Sequence, residues 1–433
     1  MIEQRALERR VIVVGSGVAG TGAAIAAARA GAHVTMIDGG TGASTLATGA
    51  LDFEPWDQAR STRTEISREA RAVLDALGAY VVREDDARLV TSAGVVRPAR
   101  GRDAALIDVA PLEGRRVGVV RCHRPGWDAD ALAMHWGSAF VAIDAQVLRH
   151  TDERVIPDAD FAARHDDEAR VHWLADRLRD ALSKSAEGGS LAGLVLPSSL
   201  GVERSCAGAL SERTGISCGE ATTLPGGPSG LRFERARDRA LAAAGVRRVA
   251  ARVTSVARDA AHGSRHDPSD ASWLVSVDSG QTCESHSVVF ATGGLLGGGI
   301  EYAPSESDPA SAPRARSGAI LRVTVGAPLT LGAFGRALEA PGSMFGVAPE
   351  AIAWPFVLDG WLEHAGVLVV DNGACLEAPP GLYAAGELVS DAPRTWLHAL
   401  TTGARAGAAA ALLSEFRFSD AAPSPAQGPA SPP

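Results

Sequence analysis

Arg9-Arg10-Val11-Ile12-Val13-Val14 runs straight into Gly15-Ser16-Gly17-Val18-Ala19-Gly20, and this junction constrains the chain more than any other stretch. Next come Ala23, Ala24, Ala26, Ala27 and Ala28, at helical spacing, and then Ala32-His33-Val34-Thr35-Met36-Ile37-Asp38. Strand, glycine turn, helix, and a second strand ending on an acid is the order that a dinucleotide site requires. Gly15 allows the tight turn, Gly17 lets the backbone approach a pyrophosphate, and Gly20 lets the helix lie close on the strand. The helix start, with Val18 and Ala19, turns N–H groups and a positive dipole end toward phosphates. Asp38 follows Gly15 by 23 residues, where a carboxylate accepts hydrogen bonds from an adenosine ribose.

A chain of 433 residues exceeds one simple core, so two domains are expected. The formal net charge is −9 with no basic block, which argues against nucleic acid or an anionic membrane as a partner. No apolar run approaches the ~20 residues of a membrane span, so direct membrane insertion is not expected. The charged stretch Met1–Arg10 leads into the first strand, which a cleaved signal peptide would destroy; a cytoplasmic protein is the expectation. Five scattered cysteines, Cys122, Cys206, Cys218, Cys283 and Cys375, form no C-x-x-C, so neither a disulfide framework nor a metal or iron–sulfur site is expected.

Further along, Gly39 to Asp52 is small and polar, a loop suited to wrapping phosphates and a flavin ring, with Thr48 and Gly49 as contacts. A helical pattern runs from about Thr64 to Ala79, ending near Gly78, and antiparallel strands are expected over 80–122, including Arg116–Val120. Asp128–Gly137 reads as helix. Residues 152–185 read as one or two amphipathic surface helices whose acids form a solvated face. Thr222 to Arg232 is a Pro/Gly loop entering a helix to about Ala244, with Ser229 as its cap. Strands are expected at Arg248–Val256, with Val253 at the cofactor, and at Trp273–Val277. Ser287-Val288-Val289-Phe290 then runs into Ala291-Thr292-Gly293-Gly294, an apolar strand returning to the nucleotide sheet with small residues beside the cofactor. Residues 302–316 are expected as a mobile loop, and 320–365 as part of the second domain. Gly381-Leu382-Tyr383-Ala384-Ala385-Gly386-Glu387 is a third such strand; Gly386 and Glu387 are expected at the ribityl chain, with a helix following at Leu397–Leu413. The Pro/Ala/Ser-rich tail 419–433 is expected to be disordered.

These motifs resemble the two-dinucleotide-binding-domain flavoproteins, the class that holds the fumarate reductase and glycerol-3-phosphate dehydrogenase flavosubunits. Ala47–Asp52, Leu196–Gly201 and Thr223–Arg232 look most like one flavosubunit family of the anaerobic glycerol-3-phosphate dehydrogenases, the family usually described with FMN. The resemblance covers most of the chain from Val11 to about Ala410. It implies a flavin-dependent dehydrogenase or electron-transfer subunit acting on a small-molecule substrate; a free-standing FAD-dependent reductase or dehydrogenase, or a flavin-free scaffold subunit of such a complex, is the alternative. Its partners would be another flavoprotein, which oxidises the substrate, and an iron–sulfur subunit, through which it would sit at the inner membrane. With FMN, Gly15–Gly20 and Asp38 would have no pyrophosphate or adenosine to hold, so FAD is the expected cofactor and FMN the alternative. The family's glycine-rich segment beside the flavin is replaced here by Asp391–Gly403, with Gly403 and Gly407 remaining.

The expected fold is α/β: a discontinuous Rossmann-like FAD-binding domain (1–80, 240–300 and 366–415) with a mixed α+β substrate domain (81–239 and 301–365). A flavin carries the electron chemistry itself, so the protein must hold substrate and move a proton. Arg232, Arg394 and His398 are the candidate catalytic residues, being cations in or beside the suspected flavin-facing stretches; a surface or helix-end cation is the plain alternative for each. Arg405 lies beside them, and His123 stands in a second cluster with Arg121 and Arg124.

Overall fold

The computed structural model describes residues 9–53, 65–185, 188–222, 225–258, 272–294, 299–304, 321–325, 338–340, 369–375, 380–389 and 393–412. Expectations for most of 302–316 and of 320–365, for Asp391 and Ala392 and for the tail 419–433 lie outside these residues.

Strand Arg10–Val14 sits at the centre of a five-stranded parallel sheet. On one side lie His33–Asp38 and then Arg247–Ala250; on the other lie Ser287–Phe290 and then Leu382–Ala384. Val11, Ile12, Val13, Val288 and Val289 are buried, as an apolar run covered on both faces of a parallel sheet must be. Helix Val18–Arg29 leaves the glycine turn and packs along helix Trp396–Ala411 through very small side chains. A Cβ on Gly403 would overlap the carbonyl of Ala19, and one on Gly407 that of Ala23. The two remaining glycines of the anomalous segment therefore serve helix packing. On the opposite face, Trp273, Val275 and Val277 of the antiparallel sheet Val253–Arg258, Trp273–Val277 and Thr282–Ser285 pack on Ile12, Val14 and Phe290.

The expected strand Arg248–Val256 is two strands. Arg247–Ala250 pairs with His33–Asp38, and the chain turns at Ala251-Arg252 so that Val253 begins the antiparallel sheet. That turn positions Arg252 and Val253 at the end of the parallel sheet.

A second layer of structure begins with the antiparallel pair Tyr80–Val90 and Val96–Asp103, to which the short strand Ala50–Leu51 adds. Antiparallel pairing stops there, and the expectation for Arg116–Val120 is corrected. Arg116–Arg121 belongs to a four-stranded, wholly parallel sheet in the order Phe140–Asp144, Arg116–Arg121, Leu191–Leu196, Ser217–Glu220. Its crossovers contain helices Ala129–Trp136, Glu168–Lys184 and Ala207–Thr214, the connections that parallel strands need. Asp128 caps the first of these, accepting from the Ala131 N–H at 3.1 Å. Val171, Leu174 and Leu178 bury the inner face of the second, as its amphipathic pattern demands.

The acids of 152–185 are not all solvated. Glu153 is wholly buried; it accepts from the Arg149 and His150 N–H groups and pairs with Arg164 and Arg170. Burial pushes its carboxyl up, but these donors outweigh that and hold it below the usual range. Strands Ile300–Pro304, Leu321–Val325 and Leu338–Ala340 form a further antiparallel sheet.

Candidate functional site

A cavity of about 730 Å³ opens at the carboxyl ends of the five-stranded sheet, where parallel α/β sheets take their ligands. The glycine turn forms its floor: Gly15, Ser16, Gly17, Val18 and Ala19 all line it. Gly15 has φ +105, a left-handed value that a side chain rarely adopts, and a Cβ there would strike the Ala291 carbonyl. Gly20 does not reach the cavity. A Cβ on it would overlap the Gly15 carbonyl, so it lets helix and turn meet, as its spacing implies. The helix starts on Gly17 with no side-chain cap, although Ser44 Oγ accepts from the Val18 N–H at 3.0 Å. A helix end finished in this way suits an anion.

At one end lie Asp38, Gly39, Gly40, Ala251, Arg252 and Val253. Asp38 accepts from the Gly40 N–H at 3.2 Å and from Arg248 Nη2 at 2.8 Å. Burial raises its carboxyl, but hydrogen bonds from Arg248, Ser16 and Gly40 outweigh this and leave it below the ordinary range, hence ionised at neutral pH.

At the other end are Ala291, Thr292, Gly293, Gly299, Glu387, Arg394, Thr395 and Trp396. Burial raises the Glu387 carboxyl, opposed by Arg394 and by the Gly294 N–H. Trp396 is wedged between Tyr80, at 4.7 Å between ring centroids, and Phe233, at 6.1 Å. The start of its helix is fastened by Thr395 Oγ1 donating to the Phe53 carbonyl at 2.7 Å and by the Leu397 N–H donating to the Asp52 carbonyl at 3.0 Å. Loop residues Thr41 to Ser44, Leu46 and Ala47 form the wall between the two ends.

The structure thus brings Gly15, Gly17, Val18, Ala19, Asp38, Val253, Ala291, Thr292, Gly293, Glu387 and Arg394 around one cavity. Thr48, Gly49 and Gly386 are outside its lining. Gly49, with φ +91, faces Ser229 Oγ, Leu106 and Asp103 instead, and a Cβ on Gly386 would meet that of Ala19. His398 is also outside the lining; burial and Arg405 push its imidazole down, so it is neutral, and its Nε2 is buried without a hydrogen-bond partner among the described residues.

Arg232 is the clearest departure from the sequence reading. It is 2% exposed and far from free: Nε donates to Asp103 at 2.6 Å, Nη1 to the Gly201 carbonyl at 2.6 Å, and Nη2 to Glu220 at 2.8 Å and Ser229 Oγ at 3.1 Å. It pins helix Pro228–Ala243 to both layers of the second half and is not among the residues lining the cavity. Ser229 is accordingly not a cap; the helix starts on Gly227 with Pro228 in its first position. The small, polar Gly39–Asp52 loop does border the cavity, as its composition implies, but through Thr41 to Ser44, Leu46 and Ala47 and not through Thr48 and Gly49. Reasoning from sequence missed Trp396, for which no local pattern pointed to the cavity.

Comparison with known proteins bears on the same residues. Residues 10–107 match the family described as FAD dependent oxidoreductase. No curated protein sequence matches the chain. Among solved structures, the chain is similar to the 3-ketosteroid-delta4-(5alpha)-dehydrogenase of Rhodococcus jostii RHA1, at 14% identity, TM-score 0.32, covering 94% of this chain and 98% of that one. It is similar also to the glycine oxidase of Geobacillus kaustophilus, at 13% identity, TM-score 0.33, 95% and 96% covered. A flavocytochrome c3 fumarate reductase matches at 12% identity, TM-score 0.35, 94% and 79% covered. Likenesses as distant as these three say nothing about substrate.

The matched segment contains the glycine turn, Asp38 and the Thr41–Ala47 wall, all of which border the cavity, and FAD is the cofactor of that family. The cradle fits that group in its own terms: a glycine floor beneath the pyrophosphate, an ionised acid for the ribose, and a space of dinucleotide size between them.

Proposed function

We propose that the chain is a flavin-dependent dehydrogenase or electron-transfer subunit of the anaerobic glycerol-3-phosphate dehydrogenase kind. In this reading it passes electrons from a small organic substrate to a respiratory acceptor, working in the cytoplasm and reaching the inner membrane through an iron–sulfur partner and another flavoprotein. The observation that carries the reading is one continuous cavity running from Asp38 at the adenosine end to Glu387 and Arg394 at the other.

Bound FAD supplies the two-electron chemistry. The chain's own residues do the rest. Gly15, Gly17 and the open helix start hold the pyrophosphate, and Asp38 accepts from ribose hydroxyls. Glu387, its carboxyl raised by burial, suits a ribityl hydroxyl. Arg394 offers the positive charge that an anionic substrate such as a phosphate ester or carboxylate needs. Trp396, held between Tyr80 and Phe233, gives that end of the cavity an aromatic face. No helix among the described residues is long and apolar enough to cross a membrane.

The test is the visible spectrum of the purified chain, followed by chromatography of whatever cofactor denaturation releases. Oxidised-flavin bands with FAD released support the reading, and a screen with an artificial acceptor then starts from glycerol 3-phosphate. Release of FMN would overturn the pyrophosphate assignment. A colourless protein that takes up no added FAD would mean a scaffold that keeps the fold without the cofactor. Vigorous turnover by the isolated chain would point to a free-standing dehydrogenase instead of a subunit.

A further inference from the structure

Asp38 does not stand alone at the adenosine end. Arg248, on the edge strand Arg247–Ala250, gives one arm to Asp38 (Nη2 to Oδ2, 2.8 Å) and the other to Asp238 (Nη1 to Oδ1, 2.8 Å). Asp238 Oδ1 also accepts from Arg237 Nε at 2.8 Å, and Arg237 Nη1 reaches the Ser16 carbonyl of the glycine turn at 3.4 Å. Ser16 also helps hold the Asp38 carboxyl below the ordinary range. The result is a ring of residues hydrogen-bonded in series from Ser16 through Arg237, Asp238 and Arg248 to Asp38. It joins the glycine turn, the second strand, helix Pro228–Ala243 and the edge strand.

Surface ion pairs at random contribute little, but this arrangement is organised around one carboxylate. Asp38 is 15% exposed at its side chain and Arg248 35%, so the pair is partly desolvated where it borders the cavity. The Gly40 N–H fixes the other carboxylate oxygen. A carboxylate accepts about four hydrogen bonds, so with Arg248 and Gly40 in place Asp38 keeps room for further hydroxyl donors. Arg237 stacks toward the Phe233 ring at 6.0 Å and is 8% exposed, which makes the far side of the ring rigid.

We infer that Arg248, held by Asp238 and Arg237, is a positioning residue that presents the Asp38 carboxylate to the adenosine ribose of FAD; the inference rests on the FAD reading of the cavity. Arg248 acts through Asp38 and does no chemistry itself. A carboxylate held in one rotamer before the cofactor arrives loses no side-chain freedom on binding, which is how preorganisation raises affinity.

The test is a double-mutant cycle on FAD binding by the full-length chain freed of its flavin, followed by flavin fluorescence. Arg248→Met should weaken FAD by about tenfold, the size of one charge-assisted hydrogen bond, and Arg248→Lys should restore most of it. In an Asp38→Asn background, Arg248→Met should cost nothing more. Asp238→Asn leaves Arg248 in place but loosens the ring, and should weaken FAD severalfold while the thermal midpoint stays near that of the unmodified chain. Additive losses for Asp38→Asn and Arg248→Met would overturn the inference, as would a Lys variant as weak as Met. An unmodified chain that binds no FAD would overturn the FAD reading itself, a result distinct from either.

Discussion

Arg232 shows what a single buried charge does in this protein. Sequence places it beside a Pro/Gly loop, where an arginine that holds substrate is a fair expectation. Its environment instead contains two buried carboxylates, a carbonyl and a hydroxyl, all occupied by its own donors. Asp103 is 129 residues away along the chain, and Glu220, 12 residues away, ends a strand on the other side of the Pro/Gly loop, so no helical or strand periodicity discloses the pairing. Removing one partner of a buried ion pair strands the others, at a cost of about 3–5 kcal/mol. Arg232→Met is expected to lose about that much in denaturant unfolding, while FAD binding by the fraction that remains folded is retained.

Asp38 gives a pH prediction at the same scale. Its carboxyl lies below the ordinary range, so the charge that faces the ribose persists as pH falls through the usual carboxylate value and is lost only beneath it. FAD affinity should therefore stay level from about pH 8 down to about pH 5. An inflection in the dissociation constant above that window's lower end would contradict the arrangement. The thiols follow the same logic in reverse. Burial pushes Cys122, Cys206 and Cys375 up to about 12 and Cys218 to about 11, so at neutral pH they are protonated and poor nucleophiles. Maleimide labelling should reach these four only when the chain unfolds.

Helix Val18–Arg29 against helix Trp396–Ala411 is the element-scale contact on which the cavity depends. The alanine run of the first helix was legible as a thin surface for close packing. Its partner was not, because Gly403 and Gly407 in sequence look like remnants of a flavin-side glycine segment. Only the fold shows that they lie on Ala19 and Ala23. Gly407→Val should cost at least about 3 kcal/mol, since backbone leaves no rotamer to yield. Gly208 is the control. It sits in helix Ala207–Thr214 with open space where its Cβ would be, and Gly208→Ala should add about 0.5–1 kcal/mol. Thermal or denaturant unfolding of the two variants should give shifts of opposite sign.

At the scale of the whole molecule, the nucleotide half was readable because each of its core strands ends in a glycine motif with a chemical purpose. Gly15, Gly293 and Gly386 all have positive φ, so the backbone itself requires them. The second parallel sheet carries no such punctuation. Arg116–Arg121 is short, contains Gly118 against Leu191 and Leu194, and stands among turns, which is how an antiparallel meander also reads. Helical segments at 129–136 and 168–184 were the better clue, because strands separated by helices pair in parallel. Strand direction is decided by what the intervening chain can span, a property of the connection and not of the strand.

The central sheet is assembled from segments far apart along the chain, and this has a consequence in time. Its middle strand is made first and its far edge, Leu382–Ala384, close to last; the Arg9 side chain even bonds the carbonyl of Ala411 at 2.5 Å. During synthesis the glycine turn leaves the ribosome long before Glu387, Arg394 and Trp396 exist to face it. A nascent chain therefore has only half a cradle until about 380 residues after the glycine turn, when helix Trp396–Ala411 can pack on helix Val18–Arg29 and complete the cavity.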